Sequence, residues 1–257
     1  TPIDDAKISI SYSGDPDSTV EEVNTDASGM SETLTLDTPP LELSMQPSEV
    51  QPYAEYTIQV TAKGYRPINI SGIEVFSGQL SLQEIRMDAE KATESMTDNI
   101  VIPAHTLFAE YPPKIAEAEI KPVTETGEIV LSRVVIPEYV IVHDGAPSDP
   151  TARDYYVRYR DYIKNVASSE IYSTWPDATI RANVLAIMSF TLNRVYTEWY
   201  RNKGKDYTIT SSTAYDHKFV PGRNIFESIS AIVDEIFSEY LSRPNVKQPI
   251  LTQYCDG

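Results

Sequence analysis

The sequence predicts an α+β chain of more than one domain. An all-β sandwich spans residues 1–88, an acidic Pro-containing linker 89–133, and a mixed α/β domain with a long central helix 134–257. Three observations carry this. Short apolar/polar alternations recur between turn residues through the first third of the 257 residues. Periodicity then lapses over a stretch rich in Pro and Glu. Beyond it, residues 161–199 hold two helical stripes that meet at Trp175-Pro176.

In the first region, AKISISYSG alternates from Lys7, with Ile8, Ile10 and Tyr12 on one face and Ser9 and Ser11 on the other. SGDPDS is a turn cluster, and MSETLTL, YTIQVTA and LSLQEIRM alternate again. Gly64 and Gly72 mark turns between strands, and Asp26 reads as a turn former rather than a ligand. Short strands at this spacing suggest a sandwich. The linker has no sustained period and is expected to pack locally through Ile100, Ile102, Leu107 and Tyr111. His105 stands alone in it, with no second metal ligand at a useful spacing.

The third region opens with two strand patterns, VVIPEYVIVHDG and YYVRY. Asp161 is the expected N-cap of a helix striped by Tyr162, Val166 and Ser169 and closed by Glu170. Pro176 suits the first turn of the next helix, where its missing N–H has no partner to lose. The stripe Ile180, Val184, Met188, Val195, Trp199 extends that helix over about seven turns. RNKGKDY is a break, YTIT a strand, and SSTAYDHKFVPG a loop carrying Asp216 and His217. ESISAIVDEIFSEYL is amphipathic, with Ile229, Ile232, Val233, Ile236, Phe237 and Tyr240 on one face, and Pro244 stops it. QPILTQYCDG reads as a final strand.

Charge divides the chain. Residues 1–150 hold 8 Lys and Arg against 26 Asp and Glu, whereas 151–257 hold 13 against 12, for a net −17. The acidic first half argues against nucleic acid and anionic lipid as partners. No uncharged apolar run approaches the length of a membrane span. The chain opens in mid-pattern at Thr1 without a visible signal peptide, as expected of a mature or trimmed product. Its single cysteine, Cys255, excludes an internal disulfide framework and a Cys-based zinc cluster.

Glu170, a carboxylate among Val166, Ile171 and Trp175, is a candidate for a raised pKa and hence for proton transfer. Ser168 and Ser169 beside it lack a Gly-flanked nucleophile elbow. Nothing fixes a thiol pair between Cys255 and His217, and Gly-rich phosphate loops are absent.

Residues 134–257 resemble the stage II sporulation protein D family of cell-wall enzymes. In that family an acidic residue closes one helix, Trp-Pro follows five residues later, and a long Ala-rich helix comes next. Here these are Glu170, Trp175-Pro176 and IRANVLAIMSFTL, in register without a gap. Asn183 stands where Gln is usual and Met188 where Arg is usual. The resemblance implies an extracellular or cell-wall protein of a Gram-positive bacterium. It implies a lytic transglycosylase cleaving the MurNAc–GlcNAc bond of peptidoglycan with Glu170 as acid/base, and no cofactor. One carboxyl suffices for that chemistry, because the sugar's own 6-hydroxyl closes onto the anomeric carbon. Trp175, Asn183, Tyr215, Asp216 and His217 are then the candidate substrate contacts. Some relatives bind zinc through a His and two Cys, but Thr210 and Asp216 occupy the Cys positions here, so no metal is expected. The alternative within the same resemblance is a non-catalytic peptidoglycan-binding or amidase-enhancing module. On the enzymatic reading, Glu170→Gln is expected to cut turnover roughly a hundredfold and to change stability by less than about 1 kcal/mol.

Residues 1–88 resemble the carboxypeptidase regulatory-like fold, through PIDDAKISI, TDASG, YTIQVTAKGYRP and LQEIRM. That likeness implies a spacer or stabilising module. Other cell-wall proteins are possible partners.

Overall fold

The computed structural model describes residues 1–90, 97–117 and 130–253. In chain order its strands are β1 (Lys7–Tyr12), β2 (Asp15–Asn24), β3 (Ala54–Thr61), β4 (Ile68–Val75), β5 (Ser81–Leu82), β6 (Asp98–Val101), β7 (Tyr139–His143), β8 (Asp154–Arg158), β9 (Ile209–Thr210) and β10 (Ile225–Phe226). The helices are α1 (Tyr159–Glu170), α2 (Asp177–Tyr196) and α3 (Glu227–Ile236). The protein is therefore mixed α+β. It forms two compact units, Thr1–Ala104 with Pro221–Glu227, and His105–Val220 with Ser228–Gly257.

The first unit is built on one five-stranded sheet in the order β2-β1-β3-β4-β6, with β5 and β10 paired separately. Its core holds Ile10, Tyr56, Val60, Ile70, Ile73 and Phe76, all buried. Residues 15–18, which read as part of a turn, instead open β2, the partner of β1 across a tight hairpin with an irregular register near Ser11. It is an edge strand whose described residues are exposed except for the half-buried Val23, and it carries Glu21 and Glu22, so the apolar signal is weak there. MSETLTL lies outside any strand. Gly72 sits inside β4 rather than in a turn. Its φ of +79° and the Ile102 carbonyl packed against it leave no room for a Cβ.

Part of the expected linker is built into this sheet. β6 runs parallel to β4, from Ile68↔Asp98 to Ser71↔Val101, and Ile102 is buried behind it. Ile102 was expected to pack and does, whereas Leu107 is 47% exposed. Residues 91–96 and 118–129 of the same stretch lie outside the described residues.

Glu74 on β4 is buried and paired with Arg223, and Asn224 donates to the Glu74 carbonyl (2.8 Å) and to Ser81 Oγ (2.7 Å). Phe226 meets Phe76 edge-on at 5.3 Å. Burial pushes the Glu74 carboxyl up to about 7, against the pull of Arg223 and with a push from Glu55. From its ordinary 4.5 to about 7 the folded chain holds a proton that the unfolded chain has released, so this group costs stability as pH rises through that window. Relative to Glu74→Gln, the parent is expected to lose roughly 2.5 kcal/mol of unfolding free energy between pH 5 and 8. Paired urea titrations check this, and parallel pH profiles of the two proteins would contradict it.

The second unit has a three-stranded sheet, β8-β7-β9, antiparallel then parallel. Helix α1 follows β8 without an intervening residue, so its N-cap is Arg158 and Asp161 lies in the first turn, where its charge suits the helix dipole. Pro176 is the N-cap of α2, one position before the first turn. This helix spans 20 residues and ends at Tyr196, which places Trp199 beyond it. Eight consecutive residues, Ile187–Arg194, are buried, as in a helix surrounded by protein. In α3 the stripe Ile229, Ile232, Val233, Ile236 is buried, and the helix ends there. The chain then turns extended, with Leu241 N–H donating to Ser189 Oγ (2.7 Å) and a bridge between Ser242 and Pro249. The described part of the expected final strand forms only that bridge, and residues 254–257, Cys255 among them, lie outside the described residues.

Candidate functional site

The last turn of α1 and the loop 211–220 meet at Glu170. Asn165, one turn earlier, fastens the loop from both sides. Its Nδ2 donates to the Val220 carbonyl (2.8 Å), and its Oδ1 accepts the Val220 N–H (2.9 Å). Glu170 then receives two donors from the same loop, His217 Nδ1 on Oε2 (3.0 Å) and the Lys218 N–H on Oε1 (2.7 Å). The His217 ring is fully buried and meets Phe190 of α2 edge-on at 4.5 Å.

A carboxylate at a helix C-terminus faces the negative end of the dipole and needs positive neighbours. Burial acts to raise the Glu170 pKa, but the His217 and Lys114 charges, the His217 hydrogen bond and the Lys218 N–H together outweigh it, and the carboxyl sits below its ordinary value. This corrects the raised pKa expected from the apolar neighbours Val166, Ile171 and Trp175. The apolar pattern reports only the burial, while segments distant in sequence supply the compensating charge. Glu170 is 9% exposed.

Asp216 adjoins His217 in the chain but serves a different cluster. Its Oδ1 accepts from Arg194 Nε (2.6 Å). Its Oδ2 accepts from Tyr200 Oη (2.6 Å), Thr210 Oγ1 (2.6 Å) and the Thr210 N–H (2.9 Å). Burial pushes its pKa up, and Arg194, Thr210 and Tyr200 bring it below the ordinary value. Arg194 is also fully buried, and its fork grips Glu117 through Nη1–Oε2 (2.6 Å) and Nη2–Oε1 (3.0 Å). The surrounding carboxylates raise the guanidinium pKa despite its burial.

The remaining sequence-derived positions are engaged elsewhere. Tyr215 gives its carbonyl to Arg194 Nη2 (3.0 Å), and its side chain lines a cavity of about 240 Å³ with Trp199, Lys203 and Lys205. Trp175 is half-buried and packs edge-on against Tyr172 at 5.7 Å. Asn183 donates back to the Thr179 carbonyl one turn earlier (2.9 Å). Of the predicted set, Glu170 and His217 come into direct contact. Ser169 Oγ back-bonds to the Asn165 carbonyl (2.9 Å). Among the described residues, no group of three His, Cys, Asp or Glu is arranged to hold a metal ion. The two positions aligned with zinc-binding cysteines, Thr210 and Asp216, bond to each other.

Sequence reading missed Lys114, Glu117, Asn165 and Arg194. Arg194 left a signal, a cation at the end of the apolar-rich run from Val184 to Leu192. Lys114 and Glu117 left none, since they sit in an aperiodic Pro-rich stretch. His143 was also passed over. It is held by Asp154 (2.7 Å) and the Asp149 carbonyl (3.0 Å) and stacks on Tyr207 at 4.4 Å, a structural role. Among the described residues, no helix is long and apolar enough to cross a membrane. No family model, curated protein or solved structure matches the chain.

Proposed function

We propose that this chain is an extracellular cell-wall protein whose second unit, of sporulation-protein-D type, binds peptidoglycan glycan strands without cleaving them. The first unit is then a β-sandwich spacer of the carboxypeptidase regulatory-like kind. The wall assignment rests on the residue pattern around Glu170 and Trp175-Pro176. The observation that carries the non-catalytic role is the state of Glu170. Both oxygens are occupied by His217 and Lys218, the side chain is closed from solvent, and the pKa is lowered. A general acid works best with a pKa near the operating pH, and a carboxyl held ionised has no proton to give. Glu170 is then the pin that fastens loop 211–220 to α1.

A second reading, lytic cleavage with Glu170 as acid/base, is favoured by one observation. Of the six positions named for the site from the resemblance, two, Glu170 and His217, meet although 47 residues apart. Incubation with purified sacculi followed by mass spectrometry separates the readings. Co-sedimentation with sacculi and no 1,6-anhydro muropeptides is the expected result. Anhydro ends released by the parent and lost in Glu170→Gln would overturn the binding reading in favour of the enzyme. Absence of co-sedimentation would remove peptidoglycan from both.

A further inference from the structure

Residues 111–117 form neither helix nor strand, yet they are fastened along the second unit at five points. Lys218 Nζ lies 5.3 Å from the Tyr111 ring centroid, and Lys114 Nζ donates to the Asp216 carbonyl. Ile115 N–H donates to the Ala214 carbonyl (2.7 Å), and Gln253 Nε2 donates to the Ile115 carbonyl (2.6 Å). Glu117 fills the Arg194 fork in a bidentate pair. Pro112 and Pro113 hold the segment extended between the Tyr111 and Lys114 contacts. A planar guanidinium, buried and presented two-pronged, is the geometry with which proteins read carboxylates.

The surroundings of Glu117 share that preference. Ile115, Glu117, Trp199, Lys203, Lys205 and Tyr215 border the same cavity of about 240 Å³. Arg194 is shared between Glu117 and Asp216. Lys203, whose Nζ lies 3.5 Å from the Trp199 ring centroid, and Lys205 bring the cations of this cluster to three against those two carboxylates, in a chain of net charge −17. Focusing of that kind draws anionic groups to a site.

We propose that the Arg194 fork, with Lys203 and Lys205 at its rim, is a carboxylate-binding site, and that residues 111–117 are a built-in ligand displaced by an external carboxylate-bearing strand. On the peptidoglycan reading, the displacing group is the lactyl or stem-peptide carboxylate of a muramyl unit. Only that identity rests on the reading; the site itself rests on the fork and the cavity.

The test vacates the site. Glu117→Ala leaves Arg194 with its fork open, and a carboxylate that binds there raises the melting temperature by mass action. Acetate and muramyl dipeptide are expected to raise it in this variant, each more than in the parent, while chitotetraose, which has no carboxylate, leaves both proteins unchanged. No rise with either carboxylate, or an equal rise in the parent, overturns the site. A rise with acetate but none with muramyl dipeptide sustains the site and removes the wall ligand. Should Glu117→Ala fail to fold, Lys114→Ala, which keeps the Arg194–Glu117 pair, takes its place. Muramyl dipeptide or acetate is then expected to speed amide exchange at Ile115, and unchanged exchange with both overturns the proposal.

Discussion

Arg194→Met is expected to lower the unfolding free energy by about 3–5 kcal/mol, the usual consequence of breaking a buried ion pair from one side. Methionine matches the volume of the arginine stem but leaves two carboxylates behind. Asp216, with no exposed surface, loses its Nε donor, and Glu117 loses both of its donors. The Tyr215 carbonyl loses a partner as well. Asp216 keeps Thr210 and Tyr200, so its ionised form is only partly uncovered. Urea denaturation at pH 7 measures the change, and a loss below about 1 kcal/mol would mean that water takes over the arginine's role. Replacing Arg194, Asp216 and Glu117 together by apolar residues is expected to cost less than the single change, because no charge is then left unpaired.

Glu170→Gln is expected to cost about 2–3 kcal/mol, more than the pattern around Glu170 suggests by itself. The amide carbonyl accepts one of the two donors that the carboxylate holds. With the amide carbonyl on the Lys218 N–H, the amide NH2 meets His217 Nδ1, which accepts only in the other ring tautomer; in the reverse orientation it meets the Lys218 N–H, donor against donor. Lys114 loses the charge that faces it. The sign of the pH dependence follows from a folded pKa below the ordinary 4.5. The stabilisation by Glu170 is fully present above that value and is lost as pH falls through the folded pKa. The deficit of the Gln variant is therefore expected to shrink in acid. A deficit that is the same at pH 7 and at pH 3 would place the effect in packing rather than in charge.

What the sequence discloses about this protein divides along a physical line. Helices α1 and α3 were legible because apolar residues recur at helical spacing. The α1 stripe Tyr162, Val166, Ser169 is buried together with six further residues of that helix. Of the α3 stripe, Ile229, Ile232, Val233 and Ile236 are buried, while Phe237 and Tyr240 lie beyond the helix. β3 was legible for the matching reason, alternation along a strand with one covered face. β2 was not, since an edge strand bearing Glu21 and Glu22 needs no apolar alternation to pair. β6 was hidden in a Pro-bounded stretch of four paired residues. Gly72 looked like a turn because a glycine with positive φ is common there, and only the passage of Ile102 explains it inside β4. At the site, local pattern located Glu170 and its burial. It left out the partners that set the charge state, because Lys114 and His217 come from segments 56 and 47 residues away. A pKa inferred from near neighbours alone therefore had the wrong sign.

The state of Glu170 decides between a pin and a proton donor, and the carboxyl resonance of that side chain reports it. A carbon-13 titration of the labelled protein, with Glu170→Gln supplying the assignment, follows this one group. The expected midpoint lies below the ordinary 4.5, with the His217 ring and Lys114 holding the carboxylate ionised throughout the neutral range. A midpoint near neutrality would contradict this and return Glu170 to the role of general acid.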